Sequence, residues 1–569
     1  MVYKIADNIV SPLGTTTEQN YQAVKQGKTA LSYHATKWDI PKPFTASVFT
    51  EAQNQEMAVA GLTRFESMVV CSVRQAQALA GTDFDIAAKN IVFILSSTKA
   101  NVELLGTADA QADVLHPGES AARIAKKLGI TTSPIVVCNA CISGLSSIIL
   151  AQRLLENRTY DYAVVCGADV LDKFVISGFQ SLNAMAEHEC RPYDIERLGM
   201  NLGEAAATII LSATPADGNT PWAIGCGAVR NDAYHISSPS KKGDGAYRCL
   251  LPSVKAASVE SLALVNAHGT ATMFMDQMES VAIQRAGLGG MLVNSLKGYY
   301  GHTLGAAGVL ETTLTMRALD NHTIIGTRGF EELGVSGKIQ VSATNGETDK
   351  HSFIKLVSGF GGCNAALLAT KEPQAAATKT RSNSPRRTHH VEITPTSITV
   401  DGQPVVCEET GKKMLTNVYK QAIGDYPKFY KMDMLSRLGF IASELLITAE
   451  GKERFMENEQ RAIILFNHSS SIHADTSYLD SIKDKDNYFP SPSLFVYTLP
   501  NIVTGEIAIR NRYCGETSFF ILPLKDEKTI SQVQHAAFCD PMTNSMITGW
   551  LDYEDDTNFL ADMYILDYE

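Results

Sequence analysis

Short runs of consecutive apolar residues punctuate the first two thirds of the chain: 91–95 (IVFIL), 135–137 (IVV), 162–165 (YAVV) and 207–211 (ATIIL). Runs this short, without polar alternation, predict strands buried on both faces. Residues 145–155 carry apolar side chains at helical spacing and predict a helix directly after the second run. A second set follows at 262–265 (LALV), 291–293 (MLV), 339–341 (IQV) and 353–357 (FIKLV). Buried strands alternating with helices predict α/β layers. Between Glu372 and His390 this pattern gives way to Pro, Ala, Thr, Ser and Arg. The stretch 372–390 is therefore expected to be a linker between a domain at 1–371 and a globular region at 391–569.

Composition adds bounds rather than chemistry. At 569 residues, 45% apolar and 19% charged, the chain has ordinary globular composition and enough length for two or more domains. No basic leader with an apolar core follows Met1, and no apolar run is long enough to span a membrane, so the cytoplasm is the expected location. A net charge of −12 argues against general nucleic-acid binding. The eleven cysteines lack paired zinc-finger spacing and are expected to be reduced. Neither His389-His390 nor His468 with His473 is surrounded by a ligand cluster, so no metal is expected. His116, His188, His235, His322 and His351 are expected to be structural.

Candidate chemistry begins at 136–145 (VVCNACISGL), where an apolar strand delivers Cys141 to the start of a helix. Helix-start amides and the helix dipole favour a thiolate, so a nucleophile with a lowered pKa is expected. The alternative, a Cys138–Cys141 redox pair, leaves the downstream histidine and lysine blocks unexplained. Those blocks are 266–272 (NAHGTAT), 297–302 (KGYYGH) running into 305–308 (GAAG), and 359–364 (GFGGCN).

In this order the blocks resemble the β-ketoacyl-acyl-carrier-protein synthases, the elongating Cys-His-His branch of the thiolase-like condensing enzymes. The opening 8–14 (NIVSPLG) and the pair 191–194 (RPYD) with 203–205 (GEA) extend the likeness from the N-terminus to about Thr370. The resemblance implies a duplicated βαβαβαββ unit in a five-layered αβαβα fold. It also implies that Cys141 carries the acyl primer and that His268 and His302 stabilise the carbanion from malonyl-carrier protein, with Lys297 as a nearby cation paired to Glu311. The backbone amides of Cys141 and Phe360 would hold the oxyanion. Phe360 would gate the pocket on a loop with Gly359 and Gly361, and Thr270 and Thr272 would bind the pantetheine arm. Three positions depart from the family pattern: Ala271 replaces a glycine, Cys363 a threonine and Ser358 a phenylalanine.

The resemblance implies no resident cofactor, because acyl and malonyl groups arrive on the phosphopantetheine of an acyl carrier protein. That acidic partner would need a local basic face, and Lys126-Lys127 and Lys241-Lys242 are candidates, although ordinary solvated surface is the favoured reading of either pair. A homodimer, or a pseudo-dimer with a related subunit, is expected.

The tail echoes the first half-fold. Residues 434–440 (MLSRLGF) resemble the early helix, 462–467 (AIILFN) resemble 91–96, and 497–507 resemble the stretch before the nucleophile, whose own place falls near Pro523. Residues 548–552 would correspond to 166–169, and no counterparts of His268, Lys297 or His302 follow. Residues 391–569 are thus expected to be a truncated half of the same fold, without catalytic residues. The expected function is decarboxylative condensation to a 3-oxoacyl product in fatty acid, polyene (including aryl polyene) or polyketide synthesis. The alternative is a non-catalytic chain-length-factor-like partner. Thiolase-type degradation and primer-initiating condensation use other residue sets than the Lys297–His302 block.

Overall fold

A computed structural model describes residues 1–81, 84–88, 90–110, 112–215, 221–372 and 384–568. Most of the expected linker, 373–383, lies outside the described residues. Five strands form a first unit: β1 (Val2–Val10), β2 (Ile91–Ser96), β3 (Ile135–Val137), β4 (Tyr162–Asp169) and β5 (Ala205–Ser212). Their spatial order is β1-β5-β4-β2-β3. Strand β2 runs parallel to β3 and β4, whereas β5 runs antiparallel to β4 and β1. Helix α1 (Arg64–Leu79) packs on one face, α2 (Pro117–Leu128) lies beside it, and α3 (Ser143–Glu156) packs on the other face. Alternate residues of β2 enter opposite cores: Phe93 and Leu95 join the α1 side, Val92 and Ile94 the α3 side. That explains the unbroken apolar run.

A second unit repeats the pattern with β6 (Ala223–Asn231), β7 (Leu264–Asn266), β8 (Leu292–Asn294), β9 (Gln340–Val341), β10 (Ser352–Ser358) and β11 (Cys363–Thr370). The order is β6-β11-β10-β7-β8-β9, with β10, β7, β8 and β9 parallel and β11 antiparallel to both β10 and β6. Helices α4 (Asp244–Ala256) and α5 (Met273–Arg285) cover its outer face, and α6 (Ala307–Asp320) packs against α3 between the sheets. The layers are therefore αβαβα. The two central helices touch at glycines: a Cβ on Gly144 would lie 2.8 Å from the Gly305 carbonyl oxygen, and one on Gly308 would lie 2.3 Å from the Leu145 nitrogen.

The tail supplies a third unit: β12 (Arg386–Ile393), β13 (Arg461–Asn467), β14 (Thr517–Ile521), β15 (Ser545–Asp555) and β16 (Asn558–Asp567), with helices α7 (Met434–Glu450), α8 (Ile502–Asn511) and α9 (Glu527–Ala537). Its order, β14-β13-β15-β16-β12, reproduces the first unit strand for strand. Strand β12 starts inside the stretch expected as linker. Its polar residues pair antiparallel with β16, Val391 opposite Met563, and the Arg387 guanidinium lies 3.9 Å over the Tyr564 ring. Sheet pairing overrides composition here.

The first and third units join edge to edge. Val137 pairs with Phe520 and Val136 with Ile521, antiparallel, so ten strands form one sheet, β1-β5-β4-β2-β3-β14-β13-β15-β16-β12. This covers the otherwise open β3 edge. Buried ion pairs tie the third unit to the first, Arg153–Glu516 at 2.7 Å and Lys99–Asp475 at 2.6 Å, and to the second, Arg230–Asp540 at 2.6 Å.

Candidate active site

After β3 the chain turns sharply into α3. Ala140 takes a left-handed backbone, φ +48°, which costs a residue with a Cβ roughly 1–2 kcal/mol. The short 3₁₀ turn Ala140–Ile142 presents Cys141 just ahead of α3. Ser143 pins the turn, its hydroxyl accepting from the Asn139 N–H at 2.8 Å and donating to the Ala140 carbonyl at 2.6 Å. The tail braces it as well: the Phe519 N–H donates to Asn139 Oδ1 at 2.6 Å, and the Cys138 N–H donates to the Phe519 carbonyl at 3.0 Å.

The state of the thiol differs from the expectation. Burial pushes Cys141 up to about 12, with Lys297 pulling the other way and Asp169 adding to the rise. Helix-end electrostatics contribute about 0.3–2 kcal/mol, too little to offset desolvation of an enclosed anion. Local sequence shows the helix start but not the enclosure, so the resting group is a neutral thiol.

His268 follows β7, and its ring meets that of His302 edge to face, centroids 5.0 Å apart and planes at 86°. The Cys141 sulfur and a ring nitrogen of each histidine all lie within 4.8 Å of one another. Backbone contacts fix both loops. Glu279 on α5 accepts the N–H groups of His268 at 2.6 Å and Gly269 at 2.8 Å, and the His302 N–H donates to the Asn201 carbonyl at 2.7 Å. Ala271, where the resemblance has glycine, keeps a left-handed φ of +64°. Among the described residues, His268 Nδ1 and both ring nitrogens of His302 are buried without a hydrogen-bond partner. Burial first, then Lys297, holds both imidazoles well below the ordinary histidine range. They are neutral at pH 7 and face the sulfur with unused polar atoms.

Behind them, Lys297 is fully buried and ion-paired to Glu311 of α6. The other carboxylate oxygen of Glu311 accepts from Lys355 Nζ at 2.5 Å. Burial acts to raise the Glu311 carboxyl, but Lys297 and Lys355 outweigh it and hold the group below its ordinary range. Sequence reading passed over Lys355. The available signal was a lysine inside the apolar run 353–357.

Cys141, His268, His302, Thr270, Thr272, Gly359 and Phe360 share a cavity of about 420 Å³. The threonine hydroxyls lie 3.0 Å apart. The Phe360 ring stacks on Phe179, centroids 6.1 Å apart, and a Cβ on Gly359 would lie 3.2 Å from the Cys141 nitrogen, so this loop lies over the Cys141 amide. Gly361 adopts φ +89°. The tail grips the loop from behind. Asn501 Nδ2 donates to the Phe360 carbonyl at 2.9 Å, Asn231 Nδ2 ties the Gly361 carbonyl at 2.8 Å to Thr517 Oγ1 at 3.0 Å, and Gly505 of α8 packs directly against Gly361. Exposed Leu198, Met273 and Phe274 line the mouth. Lys241 and Lys242 follow the lining segment 237–239 after Ser240, whereas Lys126 and Lys127 sit in the last turn of α2.

The tail keeps the scaffold of this site without a counterpart of Cys141. Leu95 pairs with Val136 and Cys166 in the first unit, as Leu465 pairs with Phe519 and Gly549 in the third. Counting on from this register places Leu524 in the position of Cys141, one residue beyond Pro523. Asp552 corresponds to Asp169: it accepts the N–H groups of His468 and Ser469, as Asp169 accepts those of Thr98 and Lys99. His468 lies 2.8 Å from His116 Nδ1, while His389 and His390 contact Asp401 at 2.9 Å and Asp562 at 2.7 Å.

The family model "Beta-ketoacyl synthase, N-terminal domain" matches residues 98–216, and "Beta-ketoacyl synthase, C-terminal domain" matches 223–331. The chain is 32% identical over 251 residues to 3-oxoacyl-[acyl-carrier-protein] synthase 2 of Rhizobium meliloti (strain 1021), covering 41% of this chain and 59% of that protein. It is 26% identical over 403 residues to the synthase of the same name from Coxiella burnetii (strain RSA 493 / Nine Mile phase I), covering 64% of this chain and 96% of that protein. Among solved structures, the PfaC keto synthase–chain length factor matches with a TM-score of 0.77 at 16% identity, covering 100% of this chain and 78% of that one.

Proposed function

Because the chain belongs to the β-ketoacyl synthase family, we propose that it condenses a Cys141-bound acyl primer with malonyl-carrier protein, releasing carbon dioxide and a 3-oxoacyl thioester. The observation that carries this reading is the convergence of one thiol and two unpartnered, neutral imidazoles within 4.8 Å in one cavity. In the first half-reaction the Cys141 sulfur attacks the thioester carbonyl of an acyl-carrier primer. The amides of Cys141 and Phe360 receive the oxyanion. Because the resting group is a thiol, its proton moves to a neighbouring imidazole as the carbon–sulfur bond forms, and is then passed to the departing pantetheine thiol.

In the second half-reaction His268 and His302 donate hydrogen bonds to the malonyl thioester oxygen. Carbon dioxide leaves, its bonding electron pair passes into the enolate, and Cα attacks the acyl carbonyl on Cys141. The cysteine sulfur departs as thiolate and recovers a proton. Neutral imidazoles suit this task, since each keeps an N–H to donate while adding no cation that must be desolvated. Thr270 and Thr272 hold the pantetheine arm. No resident cofactor is needed, because the reacting groups come on the carrier.

The tail takes the part of a partner subunit in cis: it fills the β3 edge, braces the Asn139 turn and grips the gate. The chain is accordingly its own pseudo-dimer and needs no second copy to complete the site. The tail also favours a specialised polyene or polyketide pathway over housekeeping fatty acid synthesis. All eleven cysteines are unpaired. Among the described residues no helix is long and apolar enough to cross a membrane.

Incubation with malonyl-carrier protein and a panel of acyl-carrier primers tests the reading. A 3-oxoacyl product is expected from the full chain and not from C141A. Absence of product with every primer, with malonyl-carrier protein left intact, would overturn it.

A further inference from the structure

A lysine on a strand buried on both faces needs a reason. Lys355 is fully buried on β10, and an unpaired ammonium there would be expelled or neutralised. The parallel register of β7 and β10 sets Lys355 beside Asn266. Its Nζ then reaches the carbonyl of Ala267, the residue before His268, at 3.1 Å, and Glu311 Oε2 at 2.5 Å. Glu311 is already paired with Lys297. One carboxylate thus serves two ammonium groups. A single Lys–Glu pair would be neutral, whereas this triad carries an excess positive charge directly behind the histidines.

We propose that Lys355 is a positioning residue for the decarboxylating half-reaction: its charge disfavours imidazolium at His268 and His302 and favours the enolate, and its bond to Ala267 fixes the His268 backbone. The proposal rests on the condensing reading above. The charged and titratable groups facing Lys355 are Glu311 of α6, Lys297 of the 297–300 turn, Glu279 of α5, and the two histidines, on both of which it acts. The thiol of Cys141 instead feels Lys297 and Asp169. Lys355 therefore bears on the half-reactions in opposite senses: decarboxylation gains from its charge, whereas acyl uptake, in which an imidazole takes the thiol proton, is opposed by it. Burial, opposed by Glu311, lowers the lysine to about 8, so its charge fades as the medium becomes alkaline.

The test uses the full chain, K355M and K355R. Conversion of malonyl- to acetyl-carrier protein is followed from about pH 5.5 to 9, and single-turnover acylation of Cys141 by acyl-carrier primers is followed by mass spectrometry. With K355M, decarboxylation is expected to fall roughly 10-fold, and its acid limb to move to higher pH because imidazolium forms more easily. The alkaline limb near 8 should vanish, while Cys141 acylation holds or rises, because the imidazole that takes the thiol proton is no longer opposed by the Lys355 charge. K355R keeps the charge and should keep the acid limb in place even if its rate falls. K355Q supplies the neutral variant should K355M not accumulate. An unmoved acid limb in the neutral variant, or parallel loss of both half-reactions, would overturn the assignment. A wild-type chain that leaves malonyl-carrier protein intact would instead overturn the functional reading itself.

Discussion

Replacing Gly505 by alanine sets two effects of opposite sign against each other. Gly505 lies within α8, where Gly→Ala ordinarily stabilises a helix by about 1 kcal/mol. Its Cβ, however, would stand 2.6 Å from the Gly361 carbonyl oxygen, 2.9 Å from Gly361 Cα and 3.1 Å from its carbonyl carbon. All three are backbone atoms, so no rotamer relieves the contact. Restoring ordinary contact requires the gate loop or α8 to move by roughly 0.5–1 Å, and overpacking of this kind costs about 1–3 kcal/mol. The clash should therefore cancel or exceed the helical gain. Its larger effect falls on Phe360, one residue away, because a misplacement near 1 Å can cost on the order of 100-fold in rate. Thermal melting of G505A should show no gain in Tm, and single-turnover acylation of Cys141 should slow about 10- to 100-fold. A higher Tm with an unchanged acylation rate would refute the claim that the tail holds the gate.

Other outcomes follow from the same geometry. C141A should lose acyl uptake while still converting malonyl- to acetyl-carrier protein, measured by mass spectrometry of the carrier. H302A should lower that decarboxylation by about 100-fold or more, with Cys141 acylation continuing. Because His268 and His302 are held well below their ordinary range, the unfolded chain binds protons below about pH 6.5 that the folded chain does not. Stability is thus fully present above that pH and falls as pH drops through it, by about 1.4 kcal/mol per pH unit for each imidazole until its folded pKa is reached. Urea midpoints at pH 7.5, 6 and 5 check the sign. A chain ending at Lys371 bares the β3 edge and should aggregate or self-associate, whereas the full chain should run as a monomer in light scattering.

Chemistry-bearing residues were legible where glycine-rich blocks hold them. Cys141, His268, His302, Lys297 and Glu311 occupy blocks whose backbone demands, such as φ +45° at Gly269, restrict sequence locally, and the fold brings them together. Burial is not written locally. The thiol of Cys141 was expected to be acidic because its helix start is visible, while the enclosing second unit is not. Lys355 was passed over because its partner Glu311 arrives from another element. In the tail, 462–467 marked the central strand β13, but the composition of 386–390 concealed a strand that forms only because β16 is there to pair with it. The Asp552 carboxylate shows how the half-fold persists without a counterpart of Cys141: it still ties the end of β13, as Asp169 ties the end of β2, because that contact serves the backbone.

The claim on which everything else turns is that Cys141, a buried neutral thiol, becomes the acyl carrier. Peptide mapping by mass spectrometry after a brief pulse of acyl-carrier primer tests it most directly. The expected result is a single acyl adduct that fragmentation of the peptide shared by Cys138 and Cys141 assigns to Cys141, with Cys138 and Cys363 unmodified; an adduct on another cysteine, or none while product still accumulates, would contradict it.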